Sequence, residues 1–541
     1  MNQKSKKIND VILLALIALS SCIGNFEDYN THPTDPHPDD MTVAEKAGVL
    51  FPGMLYMMHN AQENDHQMIE QMVGAQYGGY MSTTNAWSNR NFGTFNPTAD
   101  WMEIPFVRTF PGFYTNYLQL RKITESKGYI HAWANIIRVA VMLRITDTYG
   151  PIPYSKIGSE KLSVEYDDVP DVYRHMIDDL NNSISVLTAI GREPRNRPLP
   201  VTDFDLVYQG DFSKWIKFAN SLKLRMAVRI GLVDTEYAVE TMLEALTKGP
   251  ILYNDDNAFL PTMDNPYYKS AFNWQDVAVS ATLSAYMNGW NDPRRPVYMT
   301  STPATPTRLY KGVRMGIDNI DKEIYGGALY SKPNFKANSP LPVYCAAETY
   351  FLLAEAVLRG WIPGNAKELY EQGILTSMEQ HEVLIGDYLS VTANPEIYHD
   401  PNDASLSFDL SLPSSGGDVT VAWDSAATDA AKLEAVITQK WIAIYPSGFE
   451  AWCDFRRTNY PRLMPAAANL SSDATGGRVN NPDPAIDPNS PDPAIAIRMA
   501  RRLPYPVSEY NTNPRNVQEA VNRLLVGPDV FSTDLWWAKR E

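Results

Sequence analysis

Aromatic rings set among small polar residues are the feature of this chain best suited to chemistry. Gln76–Trp101 holds Tyr77, Tyr80, Trp87, Phe92, Phe95 and Trp101 among Gly, Ser, Thr and Asn, with almost no aliphatic side chains. A core segment mixes Leu, Ile and Val with its rings; this one does not. Flat rings framed by amide and guanidinium groups stack on the apolar face of a pyranose while the polar groups reach its hydroxyls. Trp274, closing the run Tyr267-Tyr268-Lys269-Ser270-Ala271-Phe272-Asn273-Trp274, is a second platform of this kind. The candidate ligand residues are therefore Trp87, Asn91 and Trp274, with Tyr80, Arg90 and Phe92 in support.

Other chemistry is thinly provided for. There are 8 His; His59 and His66, seven apart on one helical face, would lie about 10 Å apart along the axis, too far for one ion. The chain has no H-E-x-x-H, C-x-x-C, G-x-S-x-G or G-x-x-x-x-G-K-[ST], so no motif points to a metal, a catalytic residue or a cofactor. Asp318-Asn319-Ile320-Asp321-Lys322-Glu323 lacks the alternating ligands and position-six Gly of a calcium loop and reads as a solvated turn. A glycosidase needs only two carboxylates across a cleft, yet nothing singles out a pair among 63 Asp and Glu, so a surface hydrolase is kept as the lesser alternative. The net charge of −16 argues against nucleic acid, whose binding depends on clustered Lys and Arg.

Mostly amphipathic helix must position these residues. Apolar residues recur at three- and four-residue steps over His131–Thr146, Val172–Leu187 and Trp215–Ile230, each predicting one apolar stripe and one wet face. Val343–Arg359 and Ala366–Ser377, joined by Pro363-Gly364-Asn365, predict a helical hairpin; small residues at its crossing, such as Gly373, resemble the device of tetratricopeptide (TPR) repeats. Ile251–Asn291 and Gly386–Asp429 have little periodicity and predict surface excursions with at most short strands, and Asn469–Pro493 predicts a long loop.

Three cysteines are too few for a disulfide-stapled module. Cys345 and Cys453 are expected as buried free thiols, with a disulfide between them left open. Cys22 differs: it follows Lys4, Lys6, Lys7, the apolar run Val11–Leu19 and then Ser20-Ser21. Nine apolar residues cannot span a bilayer but match a secretory signal, and Leu19-Ser20-Ser21-Cys22 resembles a bacterial lipobox with an acylated cysteine. Removal of residues 1–21 takes away three Lys and one Asp, so −16 becomes −18, a charge that disfavours anionic ligands at long range. Glu27-Asp28 resembles an export signal to the outer face of the outer membrane, and Asn30–Asp40, with Pro33, Pro36 and Pro38, reads as a tether.

An ordered set of segments resembles the SusD/RagB family of nutrient-binding outer-membrane lipoproteins of Bacteroidetes. It comprises Thr146-Asp147-Thr148-Tyr149-Gly150-Pro151-Ile152-Pro153-Tyr154-Ser155, Tyr208-Gln209-Gly210-Asp211-Phe212-Ser213-Lys214-Trp215, Asn291-Asp292-Pro293-Arg294, Ala347-Glu348 with Ala354-Glu355-Ala356, Glu450-Ala451-Trp452 with Asp454-Phe455-Arg456-Arg457-Thr458, and Arg501-Arg502-Leu503-Pro504-Tyr505-Pro506. The residues themselves read as structural: turns at helix ends, and buried pairs between Asp454, Arg456 and Arg457. The resemblance implies a mainly α fold of about four TPR-like hairpins with an irregular, loop-rich subdomain. It divides the chain into a signal peptide (1–21), a lipidated Cys22 and tether (22–40) and one composite domain (41–541), with TPR-like helices in about 101–232 and 343–380 and insertions at about 251–340 and 384–430. It implies capture of an oligosaccharide, or in some relatives a peptide, for a TonB-dependent SusC-like channel, with no catalysis and no cofactor.

Overall fold

The computed structural model describes residues 41–538 apart from 160, 162, 192–202, 304–308, 411–418, 427 and 480–498. The signal, Cys22, the tether, residues 413–417 and residues 480–493 of the predicted long loop lie outside the described residues.

Five long helices form the first half of the scaffold. They are α1 (Ala99–Thr124), α2 (Gly128–Tyr149), α3 (Val169–Gly191), α4 (Phe212–Ile230) and α5 (Thr235–Lys248), each packed on the next. Side-chain caps begin three of them: Thr98 accepts from the Trp101 N–H ahead of α1, Asp168 from the Asp171 N–H ahead of α3, and Asp211 from the Ser213 N–H ahead of α4. Gly150 ends α2 at φ 91°, a conformation open to glycine, and so turns the chain into Pro151. The predicted helices 131–146, 172–187 and 215–230 fall inside α2, α3 and α4. One expectation fails: α2 has no wet face and is buried almost all round from Ile130 to Tyr149, because α1, α3 and α4 surround it.

The second half begins with α6 (Ala281–Gly289) and continues with α7 (Ala346–Leu358) and α8 (Ala366–Gln380). These last two are the predicted hairpin, and a Cβ on Gly373 would meet the Phe351 ring at 2.8 Å, so glycine permits the close crossing. The hairpin starts later than predicted, since 341–344 is a strand and Cys345 precedes the helix. Helices α9 (Asp429–Ala443) and α10 (Gly448–Thr458) follow, with α9 packed on α7.

Buried charge ties these helices together. Lys440 of α9, fully buried, lies 2.8 Å from Asp454, 3.1 Å from Glu450 and 3.8 Å from Glu348. Arg229 of α4 pairs with Asp147 of α2 and Glu450, and Arg457 pairs with Glu355 and Asp454. Arg456 departs from its predicted ion pair: it donates to the carbonyls of Asp147 (2.6 Å) and Arg501 (3.0 Å) and lies over Trp452. Cys345 and Cys453 are buried and free, with burial pushing both thiols up to about 12.

Two antiparallel ribbons complete the fold: β1 (Met81–Thr83) with β3 (Val277–Val279), and β2 (Ala258–Leu260) with β4 (Leu341–Tyr344). Residues 251–291 are therefore not the surface excursion their composition predicts. Strands β2 and β3, the buried Tyr267 and all of α6 lie in this stretch, placing it in the core. Asp292-Pro293-Arg294 does turn the chain, but Arg294 is wholly buried and bonds Asp292, Ser377 and Gln439.

Candidate functional site

The site grows from one end of the β1–β3 ribbon. Met81, Ser82 and Thr83 face Val279, Ala278 and Val277 in turn, so the chain leaving β1 and the chain entering β3 emerge together. The Thr84 N–H donates to the Asp276 carbonyl at 3.0 Å and its hydroxyl to the Gln275 carbonyl at 2.7 Å. Just beyond lie Trp87 on one segment and Trp274 on the other. Pairing thus brings to one end of the ribbon two aromatic stretches far apart in sequence.

Asp276 organises the join. Its carboxylate accepts from Asn85 Nδ2 (2.9 Å), Gln67 Nε2 (3.0 Å) and Lys322 Nζ (2.6 Å). Asn85 Oδ1 in turn accepts from the Trp87 N–H at 3.1 Å. Trp87, Ser88 and Asn89 all have left-handed backbone, with φ of 39°, 60° and 60°, at a cost of roughly 1–2 kcal/mol per non-glycine residue. Such strain persists only where surrounding bonds over-determine it, and it concentrates at functional positions. Here the turn at 318–319 holds the loop: Asn89 Nδ2 donates to Asp318 at 2.7 Å, and Asn89 Oδ1 accepts from the Asn319 N–H at 3.1 Å. The turn predicted to be merely solvated is a clasp.

Trp87 is half-buried and stands edge-on to Trp101, ring centroids 5.7 Å apart. Trp274 is also half-buried, with Lys269 Nζ 5.8 Å from its ring centroid; that lysine is neutralised by Glu63 and by Asp264 at 3.2 Å. Arg90 is exposed on the strained loop. The other three candidates are not on the surface. Tyr80 is 0% exposed, stacks on Trp441 at 5.4 Å and donates its hydroxyl to the Trp441 carbonyl at 2.5 Å. Phe92 is 0% exposed and packs edge-on to Tyr77 at 6.3 Å. Asn91, 1% exposed, accepts from the Thr94 N–H at 3.0 Å and shapes the turn from within. The polar neighbours that suggested a surface are turn builders bonded inward, so these three side chains support the site without offering a ligand contact.

Two rings were quoted in the sequence but not singled out. Tyr268 and Phe272, both half-buried, lie 5.1 Å apart on a short helix and π-helical turn that Asn265 caps and Pro266 begins. Asn-Pro ahead of an aromatic run is the cap signal that would have marked them. The carboxylates of these segments, Asp276 and Asp318, are committed as acceptors, Asp276 to Asn85, Gln67 and Lys322 and Asp318 to Asn89. Among the described residues no group of three His, Cys, Asp or Glu is placed to hold a metal. Trp87, Trp274, Tyr268 and Phe272 are thus half-buried rings on the two segments that leave this end of the ribbon, with Arg90 exposed on one of them.

The family model for SusD and RagB outer-membrane lipoproteins matches residues 28–538. The chain belongs to the SusD-like family. It is 35% identical to a SusD-like protein of Bacteroides thetaiotaomicron, covering 92% of this chain and 99% of that one, with a TM-score of 0.82. A SusD homolog from Bacteroides uniformis is likewise 35% identical over 92% and 99%, with a TM-score of 0.80. A chitin-binding SusD homolog from Flavobacterium johnsoniae is 32% identical over 92% and 99%, with a TM-score of 0.82. No curated protein matches the chain.

Proposed function

We propose that this SusD-like protein is a lipid-anchored, cell-surface receptor that captures oligosaccharide and delivers it to a TonB-dependent SusC-like channel, without catalysis. The observation that carries the reading is that the β1–β3 pairing brings out at one end of the ribbon the two segments that bear Trp87 and Trp274, with Trp87 on a loop held in left-handed backbone by Asn85, Asp318 and Asn319. A chitin-binding relative at 32% identity supports it, as does the lipobox at Cys22. Trp87, Trp274 and Arg90 are the proposed ligand contacts.

Isothermal calorimetry against a panel of neutral and acidic oligosaccharides, N-acetylglucosamine oligomers included, tests the reading. Binding is expected with at least one sugar and is expected to fall in both Trp87→Ala and Trp274→Ala. No heat with any sugar, alongside clear binding of peptides, would overturn it. Co-purification from membranes with a channel protein, lost in Cys22→Ala, tests anchoring and delivery.

A further inference from the structure

One ammonium beside Phe272 has no counter-charge among the described residues. Lys332 is half-buried, and its Nζ sits 5.5 Å from the centroid of Phe272, the ring packed on Tyr268. Nearby, Lys269 is paired with Glu63 and Asp264, Lys322 with Asp276 and Lys311 with Glu396, while Lys336, further along the Lys332 segment, is exposed. No carboxylate among the described residues pairs with Lys332. Burial alone pulls its pKa below the ordinary lysine value, with no neighbouring charge to offset it. Apart from the face of Phe272, no group among the described residues replaces the hydration that this partly desolvated ammonium has lost.

Its position is fixed by its backbone. The Lys332 N–H donates to Thr300 Oγ1 at 3.0 Å and its carbonyl accepts from the Thr300 N–H at 2.9 Å. Next to it, the Ser331 carbonyl accepts from the Val279 N–H of β3 at 2.9 Å, and the Ser331 N–H donates to the Lys311 carbonyl at 2.6 Å. Lys332 therefore rides on the same ribbon that positions Trp274. Phe272 and Trp274, two residues apart on one helical turn, point to different sides of it, so Tyr268, Phe272 and Lys332 make a second face of the segment that carries Trp274.

We infer that Tyr268, Phe272 and Lys332 form a subsite for an acidic sugar, the rings stacking on the pyranose and the lysine pairing with its carboxylate or sulfate. This rests on the oligosaccharide-binding reading and names the ligand class within it. The local cation runs against the overall negative charge of the chain, so anionic ligands are selected at contact rather than steered from a distance.

The test is a printed panel of acidic oligosaccharides, uronic and sulfated, each beside its methyl-esterified or desulfated counterpart, followed by calorimetry on the strongest pair. The acidic member is expected to bind at least tenfold tighter than its neutral counterpart. Lys332→Met should erase that preference, and Lys332→Arg should retain it. Retention of uronates alone or sulfates alone identifies the anionic group. Equal or stronger binding of the neutral members, or a preference that survives in Lys332→Met, would overturn the subsite while leaving the oligosaccharide reading intact. Binding of no sugar at all would overturn both.

Discussion

Acid should destabilise this protein through His66, by an amount that follows from its burial. His66 and His59 are both buried with ring centroids 5.6 Å apart, closer than a continuous helix would hold them, because the chain turns at 56–60 and a new helix starts at Glu63. His66 Nδ1 lies 2.7 Å from the Asn60 carbonyl, which makes it the protonated nitrogen, while Nε2 has no partner and Tyr267 stands edge-on at 4.2 Å. Burial, reinforced by His59, lowers its pKa to about 3, although Glu70 nearby pulls the other way. The folded protein thus keeps His66 neutral where the unfolded chain, near 6.5, takes up a proton. Stability from this group is complete above the unfolded value and is lost as pH falls below it, by about 1.4 kcal/mol per pH unit down to the folded value. Between about pH 7.5 and pH 5 the loss is about 2 kcal/mol. His66→Gln keeps a donor for the Asn60 carbonyl and cannot titrate. His59, whose pKa burial also lowers, and the other histidines stay in both proteins, so they cancel in the comparison. Urea unfolding followed by tryptophan fluorescence across this pH range should show the variant losing about 2 kcal/mol less than the wild type. Parallel pH profiles for the two proteins would refute the reasoning, whatever their difference at neutral pH.

Trp87→Ala should weaken oligosaccharide binding by roughly 1–3 kcal/mol in calorimetry with little change in Tm; a large fall in Tm would show that the contact with Trp101 makes it core. Tyr80→Ala should do the opposite, costing about 3–5 kcal/mol in urea unfolding while the folded fraction binds sugar as before. Lys440→Met leaves Asp454, Glu450 and Glu348 short of a buried cation, and about 3–5 kcal/mol of stability should go with it; a loss below about 1 kcal/mol would mean that Arg229, Arg457 and Arg225, which lies 2.7 Å from Glu348, suffice. Cys22→Ala should move the protein from the membrane to the soluble fraction, and persistent membrane association would refute the anchor.

The helices were legible because periodicity reports burial directly. Trp215, Phe218, Leu222, Met226 and Ile230 fall on one stripe, and the structure buries all of them in α4. Periodicity fails where a helix has no outside, as in α2, and where structure comes in pieces too short to repeat, as in the three-residue strands β2 and β3. It also missed the break at 56–60, since spacing along one assumed helix cannot show that the chain turns back and stacks His59 on His66.

The site was half legible for a different reason. Composition counts rings and cannot sort them, because Asn, Ser, Thr and Gly surround a ring both on a ligand surface and in a tightly turned core segment. Pairing does the sorting. At the inner end of the ribbon the Tyr80 carbonyl accepts from the Ser280 N–H, and Tyr80 is driven against Trp441. At the outer end Thr84 meets Gln275 and Asp276, and the chain beyond it carries Trp87 to the surface. Five residues after Trp87 the chain has turned back and Phe92 is buried again. A ring's role here depends on its distance from the last rung of a pairing whose partner lies far away in sequence, and no local pattern encodes that.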